Sequence, residues 1–435
     1  MTRRRTLAAL VAVAALAAMA TTAWAGSSPS YSTPGTGDPL INLPDGYSYT
    51  VLGTGCVDHV TSTESGATFA MPDDRDGNAL VRAPHGNWWL IGNHELTQPR
   101  LGDWQGDKPD CHVDEQATTD DGDSDAWGAV SRTTLAHDGV TVLKRELITT
   151  GLHNLCASAV TPWGTVLVSE EFPYARRDIA NDPEKRAGWV WEIDPTTGKA
   201  TKLTGMGFMS HEQVAFAAGA WYETDDQGDY RFIYRFVPSH GHDLTSGRLY
   251  GLKFDRSSGT GEWIGPLDPT DPHADMVARG IDPNVWGFQK AEGIVSEHGL
   301  GSLVFSESGS GANQGNVWRL THLTPHAARG EIIVAAGDGS KLSRPDNLRP
   351  SPSGDLFIYE DGHSGGDHIW VLPKGTTGVD NLVLFANVNP ALEPTGPWFS
   401  NDGKTLYMSR QGGPEVPEGT PPTTNSHVIA IHGAF

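Results

Sequence analysis

Apolar residues along this chain fall in short runs, mostly β-branched or aromatic, and turn residues close each run. No segment carries the apolar spacing of a long amphipathic helix. Glycine and proline, 52 and 29 of 435 residues, punctuate the runs, and the pattern predicts an all-β fold. Within it lies a repeat. A Gly-containing turn leads into an apolar strand that ends in a carboxylate: Gly86 to Glu95, Gly164 to Glu170-Glu171, Gly219 to Asp225-Asp226, Gly301 to Glu307 and Gly354 to Glu360-Asp361. A further copy, Gly403 to Gln411, ends in an amide. Most copies precede a second strand centred on an aromatic, such as Val190-Trp191-Glu192-Ile193 or Val317-Trp318-Arg319-Leu320, and Val428 to Ile431 reads as the closing strand.

Paired strands repeated in this way predict a β-propeller of about six blades with loop insertions, a single domain over residues 26–435. Two β-sandwiches would give no periodic carboxylate at one strand position. In a propeller, equivalent strand ends meet near the mouth of the central channel, so acids distant in sequence converge. Like charges so crowded repel unless a cation neutralises them. Trp191, Trp318 and Trp370 are expected to pack between blades, while Trp88-Trp89 and Trp163 are placed nearer the mouth.

Charge sharpens this picture. The chain carries 53 acidic and 31 basic residues, a formal net charge of −22, which argues against a nucleic-acid partner. An acidic excess suits a protein that holds several hard cations. The N-terminus runs Thr2-Arg3-Arg4-Arg5-Thr6-Leu7, then apolar to about Ala20, and reaches Ala23-Trp24-Ala25. This is the pattern of an export signal over residues 1–25, not of a membrane span. The arginines resemble a twin-arginine motif, and both export routes stay open. An exported chain pairs its cysteines. Cys56 and Cys111 lie in polar, loop-like stretches and are expected to pair, which leaves Cys156 free.

A leftover thiol suggests a reactive group or a metal ligand. Ser169-Glu170-Glu171 follows Cys156 closely, and thiolate with hard oxygen donors suits iron or another transition metal. Four further segments point to the same site: Gly92-Asn93-His94-Glu95, Ser210-His211-Glu212, Lys290-Ala291-Glu292-Gly293 and Arg344-Pro345-Asp346-Asn347-Leu348. His94 and His211 could serve as general acids, but beside glutamates they read first as supporting groups. No Gly-x-Ser-x-Gly elbow, phosphate-binding P-loop or His-Glu-x-x-His motif occurs.

As an ordered set these segments resemble the PhoX-type alkaline phosphatases, exported bacterial β-propeller enzymes. The likeness runs from Asn93-His94-Glu95, through Asn154-Leu155-Cys156 with Thr161-Pro162-Trp163-Gly164-Thr165, to Gly396-Pro397-Trp398-Phe399-Ser400. It implies a phosphomonoesterase whose site holds iron and calcium bridged by carboxylates. Cys156, Glu171 and Glu212 would ligate iron; Glu170, Glu292, the Asp225-Asp226 pair and Glu360-Asp361 would bridge or bind calcium. Asn93 and Lys290 would contact phosphate, Lys290 standing where the family usually has arginine. Ala157-Ser158 follows the cysteine where two glycines are common. The implied partners are small phosphate esters, with no membrane span, and the protein is expected to be a monomer. Two alternatives remain: a calcium-dependent propeller hydrolase of another class, lactonase or phytase-like, and a non-catalytic propeller stabilised by calcium. Neither has a use for Cys156.

Overall fold

A computed structural model describes residues 29–96, 126–171, 187–227, 229–297, 301–309, 315–336, 341–361, 367–389, 392–411 and 425–435. Cys111 and the expected export signal lie outside them. Cys56 is disulfide-bonded and Cys156 keeps a free, buried thiol. Among the described residues no helix is long and apolar enough to cross a membrane.

The architecture is propeller-like and almost wholly β. Six blades, I to VI, antiparallel apart from the parallel pairing of His59–Ser62 with Val142–Leu152 in blade I, each begin with an innermost strand: Arg75–Arg82, Leu155–Val160, His211–Ala217, Ala291–Ser296, Pro345–Pro350 and Pro394–Phe399. Each inner strand touches the next, and the last returns to the first, so the ring closes. Thr260–Ile264 pairs with the outer strands of blades III and IV and joins them into one continuous sheet. Blade VI is completed from the other end of the chain, where Ser48–Thr54 pairs with His427–His432. The sequence placed closure at Val428 to Ile431; the strand that closes the ring comes from the N-terminal side.

The core is divided among the interfaces. Val166 and Val168 pack toward blade I with Ile91 and Val130, while Leu167 between them packs toward blade III with Val214 and Trp221. In blade IV, Phe305 faces blade III and Val304 faces blade V. Side chains alternate across a strand, and here both faces are buried. That explains the continuous apolar runs. Trp191, Trp318 and Trp370 are buried in these interfaces, as expected.

Inner strands start at the mouth, so the turns into the second strands lie at the opposite end. Trp88 and Trp163 belong to those turns: Trp88 pairs with Arg82, and Trp163 stacks on His242 and donates to Glu192. They are not mouth residues. The repeat located the second strands, such as Val166–Glu170 and Leu303–Glu307, and not the strands that line the channel.

The recurring carboxylate at the second-strand end has a structural task. Glu170 accepts from the backbone N–H groups of His153, Gly188 and Trp189 at 3.0, 3.0 and 3.1 Å. Glu307 accepts from Arg256, the Gln289 N–H and the Trp318 indole, the last two at 2.9 Å. Glu360 accepts from the Ser343 N–H at 2.8 Å and the Trp370 indole at 3.0 Å, and pairs with His368. Each acid ties the loop before its own inner strand to the third strand. A Glu307→Ala variant strands the Arg256 charge and two buried donors, so unfolding in denaturant should show a loss of about 3–5 kcal/mol. Its metal content, measured on folded protein, should stay unchanged.

Candidate metal centre

All six inner strands break register with the second strand near their start, five of them at the same place and blade VI one residue later. Arg75 pairs with His94 but Asn78 with Gly92; His211 pairs with Asp225 but Val214 with Glu223; Ala291 pairs with Glu307 but Ile294 with Phe305. Blades II, V and VI repeat the break. One extra residue on the inner strand makes each a β-bulge, a device that re-aims a side chain. The residue thrown out of register is Asp76, Cys156, Glu212, Glu292 or Asp346 in blades I to V; in blade VI the equivalent Thr395 still pairs with Ser409 and the break follows it. A second ring follows the second strands: Glu95, Glu171, Asp226, Ser308, Asp361 and Gln411 each donate a backbone N–H to the residue just before the inner strand. Those acceptors are Asp74, Asn154, Ser210, Lys290, Arg344 and Glu393. Asp74, Asn154, Lys290 and Arg344 adopt left-handed backbone angles, φ 41° to 50°, which marks a strained turn at a functional site.

These rings converge. Three overlapping groups offer donor atoms within 4.8 Å of one another: Asp76 with Glu95 and Cys156, Cys156 with Glu171 and Glu212, and Glu212 with Glu292 and Asp346. Cys156 and Glu212 are shared, so the groups form a continuous file. The Cys156 thiol donates to Glu171 Oε2 at 3.2 Å. Asn154 donates to Glu95 Oε1 and Glu171 Oε2, both at 2.9 Å, and Gln411 donates to the other Glu95 oxygen. Lys290 Nζ lies 3.1 Å from Glu292 and 3.4 Å from Asp226.

Of the residues singled out from sequence, Cys156, Glu171, Glu212 and Glu292 lie in this file, and Asp226 and Asp361 border it. Glu170, Asp225 and Glu360 do not join it. Their carboxylates point to the N–H donors described above, and Asp225 accepts from the Ser210 N–H. Asn93 is fully buried, and its amide donates to the carbonyls of Cys156 and Ala157. It braces the cysteine strand, and its Oδ1 has no partner. His94 bridges the Asp73 carbonyl and the Ser131 hydroxyl; burial and Arg75 push its imidazole down to about 3. His211 Nδ1 lies 3.2 Å from Glu223 inside blade III. Neither imidazole faces the mouth as a general acid.

Sequence reasoning left Asp76, Glu95, Asp346, Glu393 and Arg344 unassigned. The signal was present, since an acid or the cysteine lies 13–18 residues upstream of the second-strand end in five of the six units. Only the bulge shows that this upstream residue is the donor.

The electrostatics fit cations. Burial first, then the neighbouring acids, raises Glu171, Glu212, Glu292, Asp76 and Glu393 well above the usual carboxylate range. Burial and Asp361 push Asp346 up to about 7, and its Oδ1 is buried without a partner. The Cys156 thiol is raised by burial and by Glu171 and Glu212. Without cations these groups retain protons; with cations the ionised forms become favourable. Burial opposes the Lys290 ammonium, but Glu292 and Asp226 hold its pKa above that of a free lysine. The donor set, one thiolate among carboxylates, suits a transition metal beside hard cations. Adding divalent cation to chelator-stripped protein at pH 7 should therefore release protons. The release, followed by pH-stat or by calorimetry in buffers of different ionisation heat, should shrink as pH rises and the acids ionise unaided.

A family model described as alkaline phosphatase PhoX matches residues 30–413. No curated protein sequence matches significantly. Among solved structures, Pseudomonas fluorescens PhoX in complex with vanadate, a transition state analogue, superimposes with a TM-score of 0.70 at 20% identity, covering 93% of this chain and 97% of that one. A luciferin-regenerating enzyme covers 92% of this chain and 98% of its own at 10% identity, with a TM-score of 0.43.

Proposed function

This chain belongs to the alkaline phosphatase PhoX family, and we propose that it releases inorganic phosphate from phosphate monoesters at a cluster of iron and calcium ions. It is a metal-dependent phosphatase. The observation that carries the reading is the file of three donor groups that share Cys156 and Glu212. Cys156, Glu171 and Glu212 would hold iron; Asp76 and Glu95, and on the other side Glu292 and Asp346, would complete the flanking sites with calcium. Bound cations supply charge neutralisation for the transferring phosphoryl group and an activated oxygen nucleophile.

The protein's own groups do the rest. Lys290, fixed between Asp226 and Glu292, keeps a permanent positive charge at the rim. Arg344 occupies the equivalent position in the next blade, just before its inner strand, and is half-buried. Its planar fork is suited to two phosphate oxygens, and it supplies the bidentate grip that Lys290 lacks. Asn93 anchors the strand that carries Cys156. Export before action is part of the proposal, with cleavage after Ala25.

Purified native protein should contain iron and calcium by elemental analysis and release phosphate from an aryl phosphate, with the activity lost to chelator. Cys156→Ser should lose most activity together with iron. Lys290→Ala and Arg344→Ala should keep metal but raise KM by about tenfold or more, the loss of a charge-assisted contact worth about 1.5–3 kcal/mol. Calcium alone with no phosphate release would overturn the reading. Mass spectrometry of protein recovered outside the cytoplasm should show an N-terminus at Gly26; an intact Met1 there would refute export by cleavage.

A further inference from the structure

We infer that Gly77 and Gly293 are positioning residues that set the spacing of the donor file, Gly77 by placing Cys156 against Asp76 and Glu95, and Gly293 for the all-carboxylate group. This rests on the metal reading above. In five of the six inner strands the residue after the donor position, Gly77, Gln213, Gly293, Asn347 or Gly396, faces the next inner strand. A methyl group at Gly77 would lie 2.6 Å from the Cys156 carbonyl oxygen and 2.9 Å from the Ala157 Cα. At Gly293 it would lie 2.7 Å from the Asp346 carbonyl oxygen and 3.2 Å from the Asn347 Cα. In both blades the approached carbonyl belongs to the residue whose side chain is the donor.

Backbone conformation does not require glycine here. Neither Gly77 nor Gly293 has a positive φ, so close approach is the remaining reason for the missing side chain. Where the same position carries a longer side chain, that chain is used across the interface. Gln213 Oε1 accepts from the Ile294 N–H at 2.9 Å, and Asn347 Oδ1 accepts from the Gly396 N–H at 2.8 Å. Asn93 of the same blade donates to the Cys156 and Ala157 carbonyls, so a retreat of that strand would also break these bonds. Ordinary contact with an added methyl, at 3.4 Å or more, demands a retreat of roughly 0.7–0.8 Å from the two carbonyl oxygens, whereas metal–ligand distances tolerate about 0.2 Å. The donor groups would then separate at one interface only.

The test compares wild type with Gly77→Ala, Gly293→Ala and Gly301→Ala, the last a glycine with open space around it. Iron and calcium per chain, the thiolate-to-iron charge-transfer absorption and far-UV circular dichroism are read on each. Gly77→Ala should lose the absorption and weaken iron binding by about 10- to 100-fold, as for other changes that misplace a ligand. Gly293→Ala should keep the absorption and lose calcium, and Gly301→Ala should match wild type. Folded variants with wild-type metal content, or two variants that lose the same metal equally, overturn the inference. If Gly77→Ala is not recovered folded, Gly293→Ala decides alone. Loss of fold in both also overturns it, since the glycines would then serve folding. A wild-type protein without the absorption refutes the metal reading itself, a result distinct from any of these.

Discussion

A sheet with two apolar faces cannot stand in water, and every blade of this protein has two. Burying both demands a neighbour on each side, and only a closed ring gives every blade two neighbours. Phe357 and Tyr359 of blade V meet Leu406 and Met408 of blade VI; Leu52 and Tyr407 of blade VI meet Leu80 and Leu90 of blade I. The ring therefore depends on Ser48–Thr54 joining the sheet made by the far end of the chain. Once closed, it fixes the strand ends at the mouth relative to one another, because each inner strand is wedged between two others.

On that frame, one local irregularity repeated in each blade separates two classes of acid. Residues in regular register at the second-strand end, Glu170, Glu307 and Glu360, receive backbone and indole N–H groups and hold loops. Residues in the bulge, or just past the strand end, are left facing the channel. Glu170 and Glu171 are neighbours in sequence with opposite assignments. The first is saturated by three backbone donors, and the second shares the thiol and amide of Cys156 and Asn154. Alternation across a strand end is enough to send them apart.

The price of the arrangement is crowded negative charge in a buried volume. Burial and mutual repulsion raise several of these carboxyls, and Lys290 with Arg344 gives too little positive charge to balance them. Cations resolve the imbalance, and in doing so they become part of what makes the mouth stable. A fold held by its interfaces can carry such a site, since the six interfacial cores lie outside the channel.

Sequence alone determined the fold class, the repeat, the interfacial tryptophans and the family, because period, turn residues and ordered motifs are local properties. It also singled out Cys156, Glu171, Glu212 and Glu292, which the structure brings together, since each sits in a distinctive short segment. Which acids meet was decided by tertiary structure. Asp76 has no distinctive neighbours, and the segment of Asp346 pointed to the site without giving that residue a role, yet the bulges bring both to the donor file. Glu170 and Glu360 fit the pattern and were turned away by donors from loops and from the third strand. A linear pattern records where carboxylates occur; which way each faces depends on register between strands, and register exists only once the strands have paired.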